Sequence, residues 1–314
     1  MLSRVAERVY WLARYLERAE NTARLLNVYS NLLLDLPKGT HIGWHTLVQI
    51  TGFEEAFSAA NKSNDERSVI RFLLAEQNGV SILSILSMLR ENARTTREII
   101  PSEAFEQINN LYIYAKENVT HGIARGPRHK LFEEIIVNCQ QLTGLLAGTM
   151  SLNNAYNFIQ IGRYLERADM TTRIVDVGSS SLLPDLTKHS EARAPEERPF
   201  ENILWMNVLR SLSAYQMYRQ HVQDRVNGED VVMFLLQDKA FPRALAHCLT
   251  QVSDCLTDLP HNKNALRQVA GALHRVGEAK IPELLSSGLL QFIDDLQVDI
   301  AAVHEEISHT WFLK

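Results

Sequence analysis

Arg14, Glu17, Arg18, Glu20 and Arg24 stand in one short run, and Arg163, Glu166, Arg167, Asp169 and Arg173 repeat it 149 residues later. Between residues 14–25 and 163–174, 8 of 12 positions are identical. Guanidinium groups are planar forks suited to carboxylates and phosphates. A glutamate among them can act as acid or base where its pKa is perturbed. Glu17 and Glu166 are therefore the candidate catalytic residues. The arginines, with Glu20 and Asp169, form either a ligand site or a structural ion-pair network. The third reading is a solvated face. Glu20 and Arg24 are four apart, as are Asp169 and Arg173, and such exposed pairs add only about 0.2–0.5 kcal/mol each. Two features favour more than that. A solvated face tolerates lysine, yet Arg14/Arg163, Arg18/Arg167 and Arg24/Arg173 are arginine in both copies while most of the chain has diverged. The neutral pairs Tyr15/Tyr164, Leu16/Leu165, Ala19/Ala168 and Thr22/Thr171 also match, as expected of a helix packed on several sides. A buried Arg–Glu network joining two bundles is the leading expectation, and a site using the same arginines is the second.

These side chains need helices to hold them. Val5, Val9, Leu12, Leu16, Ala19, Ala23 and Leu26 recur three or four apart, which places them on one helical stripe. Glu7, Arg14, Glu17, Asn21 and Arg24 fall on the opposite, outward side, with Arg18 at its edge. In the second copy Phe158, Ile161, Leu165, Ala168, Thr172 and Val175 point inward, with Arg163, Glu166 and Arg173 outward. The first helix should run to about Leu36 and stop at Pro37-Lys38-Gly39. Further helices are expected over 42–60, 68–76, 80–100, from Ser102, from Leu131 to Gly148, and over 200–226, 229–257, 262–277 and 282–309. Ser102 can cap its helix, and Gly144 and Gly148 offer a close helix contact. No stretch alternates with period two.

The repetition extends beyond the motif. Ile42-Gly43-Trp44 matches Ile203-Leu204-Trp205, and Val69–Leu74 matches Val231–Leu236 at an offset of 162. The larger offset reflects a Pro-rich insert at 179–199, expected to be a mobile loop. The expected fold is thus all-α: an internally duplicated helical bundle of about ten helices and no sheet. The first repeat covers 1–150 and the second 151–314, and the two are expected to pack as one unit.

With 46% hydrophobic and 22% charged residues, the chain has the composition of a globular protein with a sizeable core. A net charge of −5 gives no general attraction to nucleic acid or anionic membranes. Cys139, Cys248 and Cys255 show no paired spacing and read as reduced thiols, and Arg4, Glu7 and Arg8 interrupt the N-terminus as no signal peptide would. Both point to the cytoplasm. The uncharged run from Ile135 to Gly162 could span a bilayer by length, but its Asn and Gln residues favour a buried helix–turn–helix. His41 and His45 have helical spacing without a third ligand, so no metal is expected. The basic segment 121–130 reads as a loop before a helix start, where Arg125, Arg128 and Lys130 could hold an anion. No GxxxxGK or GxGxxG occurs, the cysteines lack a histidine partner in sequence, and no cofactor is expected.

The run from Ser3 to Glu20, with its second copy Gly162–Thr171, resembles the bacterial alpha-E family, named for an all-helical domain with a Glu-Arg pair. Gly148-Thr149-Met150, Arg90-Glu91-Asn92-Ala93-Arg94 and Phe234-Leu235-Leu236 carry the resemblance along essentially the whole chain. One departure is Asn78-Gly79-Val80-Ser81-Ile82, where the family usually has Asn-Pro-Ser-Ser-Ile. The resemblance implies a setting rather than a reaction. Family members typically occur beside a circularly permuted ATP-grasp ligase and a transglutaminase-like peptidase. What this implies is a non-catalytic partner or scaffold in peptide or amide-bond synthesis, with an enzyme or substrate-binding subunit that holds a carboxylate or phosphate as the alternative.

Overall fold

Long stretches of Leu, Ala, Glu and Arg without Pro or Gly favour helix, and the computed structural model, which describes residues 2–35, 43–60, 63–182 and 198–312, is all helical. Among those residues there are 15 helices and no strand. The chain forms two compact units. One is Met1–Glu166 with Asp258–Pro260 and Ile307–Lys314; the other is Arg167–Thr257 with His261–Glu306.

The first unit holds α1 (Ser3–Asp35), α2 (His45–Thr51), α3 (Glu54–Ala60), α4 (Glu66–Leu74), α5 (Ile82–Thr95), α6 (Ser102–Ile123), α7 (Arg128–Thr149) and the start of α8 (Asn154–Leu182). α1 packs on α5 and α7, and α6 closes the ring by packing on the same two helices. The result is a four-helix arrangement around Leu12, Leu16, Leu26, Ile85, Leu89, Ile108 and Ile135, all buried. Near the chain end Phe312 lies 5.2 Å from Tyr10, and Trp311 donates its indole N–H to the Pro260 carbonyl at 3.0 Å.

The second unit contains the rest of α8, then α9 (Arg198–Ser211), α10 (Tyr215–His221), α11 (Gly228–Gln237), α12 (Leu245–Thr257), α13 (Lys263–Gly277), α14 (Ile281–Ser286) and most of α15 (Leu289–Trp311). α11 packs on α12, α13 and α14. Matched segments are capped alike in the two halves. Asp65 accepts the Ser68 N–H at the start of α4, and Asn227 accepts the Asp230 N–H at the start of α11, each at 2.9 Å.

The count exceeds the expected ten because four expected helices are interrupted. Gly52 at φ 74° ends α2, and Gly288 at φ 101° precedes α15. Ser213 at φ 53° separates α9 from α10. After α11 the Asp238 carboxylate accepts the Ala240 and Phe241 N–H groups at 2.8 and 2.6 Å, turning the chain at Pro242. The loop expected over 121–130 shrinks, since α6 runs to Ile123 and α7 begins at Arg128. Pro101, not Ser102, occupies the N-cap position of α6, and the Ser102 hydroxyl pairs with Glu103 instead. Among the described residues a Cβ on Gly144 or Gly148 would meet nothing within 4 Å, so no close contact of the expected kind is made there with them. Ile135–Gly162 folds as α7, a turn and α8, and among the described residues no helix is long and apolar enough to cross a membrane. The expected stop at Pro37–Gly39, and most of the 179–199 insert, lie outside the described residues.

Candidate functional site

A buried ion cluster in the first unit joins the two copies of the motif. Arg14 sends Nε to Glu166 Oε2 at 2.6 Å. Arg18, one helical turn on, sends Nε to Glu166 Oε1 at 2.5 Å and Nη2 to Oε2 at 3.0 Å. One carboxylate from α8 thus sits between two guanidinium groups from α1. Arg14 also donates Nη1 to the Tyr10 hydroxyl at 2.9 Å and lies 5.5 Å from the Trp11 ring centre, with Tyr15 stacked on Trp11. Exposure decides what kind of pair this is: Glu166 is 1% exposed and Arg14 6%. Burial alone would raise the Glu166 pKa. The positive charges and hydrogen bonds of Arg18 and Arg14 outweigh it and lower the value to about 2. The carboxylate is therefore ionised throughout the ordinary pH range. The Tyr10 hydroxyl is pushed above its usual pKa by burial, against the pull of Arg14, so it stays neutral.

The outward side expected for α1 is itself buried. Glu17 and Asn21, both expected outward, are each 1% exposed, as is Glu20, and Glu166, expected outward in the second copy, is equally buried. A single apolar stripe fixes one packed face, but α1 has neighbours on several sides, and its polar residues are enclosed by them. Glu20 accepts Arg24 Nη2 at 2.5 Å and Gln140 Nε2, from α7, at 3.3 Å. Cys139 lies in the same region, and burial pushes its thiol pKa far up, reinforced by Glu20 and Glu17. It is not a thiolate nucleophile in this setting. Glu17 lines a cavity of about 10 Å³ with Thr143, Gln160 and Arg163. That volume holds about one water molecule. Arg163 lies over the Tyr164 ring at 4.8 Å and donates Nη2 to its hydroxyl at 3.1 Å.

The remaining motif residues belong to the second unit. Asp169 and Arg173 form the expected i,i+4 pair at 3.0 Å, partly exposed. Thr171 is fully buried and donates to the Arg243 carbonyl at 2.8 Å. Arg167 is half-buried.

In the segment expected to hold an anion, the arginines meet an internal carboxylate. Arg128 Nη1 reaches Glu66 Oε1 at 2.6 Å, and Arg125 is hydrogen-bonded to both oxygens of the same group. Burial raises the Glu66 pKa, but the Arg125 and Arg128 hydrogen bonds outweigh it and hold the value below normal. Lys130 is exposed. Arg128 is largely buried, so Glu66→Gln should lower stability by about 1–3 kcal/mol, read as a shift in the urea midpoint. An unchanged midpoint would mean that the Ile123 and Ala124 carbonyls, which Arg128 also reaches, hold this corner unaided. His45 lies against Phe57, His41 is outside the described residues, and no group of three or more metal-ligating side chains occurs among those described.

Several contributors carried no signal in the sequence. Glu66 is distant from its arginines, and Gln140 is one amide among many. Tyr10 could have been found, because it lies four residues before Arg14 and so on the same face. Gly162 is the other omission. A Cβ there would lie 2.4 Å from the Tyr10 carbonyl oxygen, so glycine lets α8 approach α1 closely enough for Glu166 to reach its arginines.

No curated protein and no solved structure matches the chain. One family model does, over residues 1–312: Alpha-E, described as a predicted alpha-helical domain with a conserved ER motif. Glu17-Arg18 and Glu166-Arg167 are the Glu-Arg pairs of the two motif copies. With nearly its whole length matched, and with Arg18 and Glu166 of those pairs bonded to each other in the cluster, the chain belongs to the Alpha-E family.

Proposed function

We propose that this protein is a helical partner or scaffold subunit of a cytoplasmic ATP-grasp-linked system that makes or modifies peptide or amide bonds. It is built from two duplicated repeats, 1–150 and 151–314. Its partners on this reading are a circularly permuted ATP-grasp ligase and a transglutaminase-like peptidase. The observation that carries the reading is the state of Glu166. Both of its oxygens accept from arginines, and its pKa is held near 2, so near neutral pH it carries no proton to donate and is a weak proton acceptor. A charge cluster so enclosed fits the role of fixing α8 against α1, and with it the surface that a partner would recognise.

Co-expression with a tagged permuted ATP-grasp ligase tests this. The chain should co-purify in stoichiometric amount. A chain that fails to bind the ligase, with and without ATP and acceptor peptide, would overturn the proposal.

A second reading rests on Arg163. Its Nε is buried and has no hydrogen-bond partner among the described residues. In this reading Arg14, Arg18, Arg163 and Arg167 hold a substrate carboxylate or phosphate, and Glu17 or Glu166 acts as acid or base. It requires the region around Glu17 to open, because the present cavity admits only a water-sized guest.

A further inference from the structure

A cleft of about 460 Å³ lies in the first unit, away from the ion cluster, between the turn after α4 and helices α5 and α6. Its volume is within the range of about 300–1,000 Å³ typical of small-ligand sites. Gln77, Leu83, Ser84, Met88, Tyr112 and Lys116 line it.

The walls are built, not loose. Asn78 closes the turn by donating to the Phe72 carbonyl at 3.1 Å and accepting the Val80 and Ser81 N–H groups at 3.0 and 2.9 Å. Ser81 and Ser84 both donate to the Glu76 carbonyl. Gly79 sits at φ 80°, a conformation closed to the proline usual in the resembled family, and nothing lies within 4 Å of where its Cβ would be. The turn therefore leaves the mouth of the cleft open. Tyr112 is held in the opposite wall by Arg90, which does not itself line the cleft: its guanidinium lies over the Tyr112 ring at 5.2 Å and is fixed by Asn109 at 2.7 Å.

The lining chemistry is selective. Lys116 is the one charged residue in it, no carboxylate lines the cleft, and Lys116 makes no ion pair among the described residues. Leu83 and Met88 are half-buried and offer an apolar floor, while Ser87 and Gln77 supply hydrogen-bonding groups at the rim. A lone ammonium beside an apolar floor suits an anion attached to a compact hydrocarbon body, and the amide and hydroxyl suit a peptide group between them. We propose that this cleft binds a small organic carboxylate of the N-acyl amino acid type, with its carboxylate on Lys116 and its side chain on Leu83 and Met88. The proposal is independent of whether the protein docks on a ligase.

N-acetyl-L-leucine is the probe, followed by methyl NMR on the full chain. For a ligand of this size the expected Kd is of the order of 1–10 mM. N-acetyl-L-leucine amide, which lacks the carboxylate, should bind at least about tenfold more weakly, given the loss of its one charged contact. Lys116→Glu and Ser87→Trp, both at exposed helix positions, should each abolish saturable shifts at Leu83 and Met88, while Arg94→Glu should not. Equal affinity for acid and amide, or shifts that survive Lys116→Glu and Ser87→Trp, would overturn the assignment. So would the absence of saturable shifts at probe concentrations about tenfold above the expected Kd.

Discussion

Glu166→Gln should destabilise the protein by about 3–5 kcal/mol, the cost of removing one partner from a buried ion cluster. The substitution keeps the shape of the side chain and changes only its charge and one acceptor. Arg14 and Arg18 would then lose the carboxylate that both of them bond, and the new amide N–H₂ would point donors at donors. A loss of that size corresponds to a fall in Tm of the order of 10 °C for a chain of this length. Arg18→Met should rescue part of it, because the remaining excess charge shrinks, and a double-mutant cycle would measure the coupling. The same group predicts a pH effect. Its folded pKa is lowered from an ordinary 4.5 to about 2. A depressed carboxyl pKa contributes stability that is fully present above the ordinary value and is lost as pH falls towards the folded one. The difference amounts to the order of 3 kcal/mol, lost between about pH 5 and pH 2. In the Gln variant the urea midpoint should fall less steeply over that window. The functional stake is direct. Unchanged Tm with lost pathway activity would favour the substrate-binding reading, whereas a large loss of stability favours the scaffold.

The sequence carried the helical character of both motifs and the identity of the charged residues, but not who pairs with whom. Spacing within one helix joins Glu20 to Arg24, and that pair forms. It cannot join Arg18 to Glu166, because that contact depends on how α8 lies against α1, which is a matter of packing and not of period. Burial of Glu17 and Asn21 was hidden for a related reason. Hydrophobic periodicity assigns the polar side of a helix to solvent, and it fails where a helix is surrounded. The arginines in both copies were the better guide, since an enclosed carboxylate exploits a fork that lysine lacks. Breaks at Gly52, Ser213, Asp238 and Gly288 escaped for local reasons. A single Gly costs a helix only about 1 kcal/mol, so its presence alone does not decide between a tolerated residue and a stop.

Gly162→Ala should lower stability by about 1–3 kcal/mol, the usual range for overpacking a well-fitted contact. Helix propensity alone predicts the reverse, since Ala is favoured over Gly by about 1 kcal/mol in a helix interior. The neighbours decide the sign. A Cβ at this position would lie 2.4 Å from the Tyr10 carbonyl oxygen, 3.2 Å from its carbonyl carbon and 3.3 Å from its ring. The closest atoms are main chain inside α1, which cannot swing aside as a side-chain end can. The matching residue of the first copy, Ala13, carries a Cβ while buried at 2% exposure, so the motif itself tolerates one. Only the approach of α8 to Tyr10 forbids it. Relief requires α8 to retreat, and Glu166 lies one turn further along the same face. Its contacts at 2.5–2.6 Å would lengthen together with the strain. Gly162→Ala should therefore cost less in a Glu166→Gln background, where those contacts are already lost, and chemical denaturation of the four variants would show the coupling. If Gly162→Ala instead raises the urea midpoint, propensity has won, and the close packing of α8 on α1 does not set the geometry of the cluster.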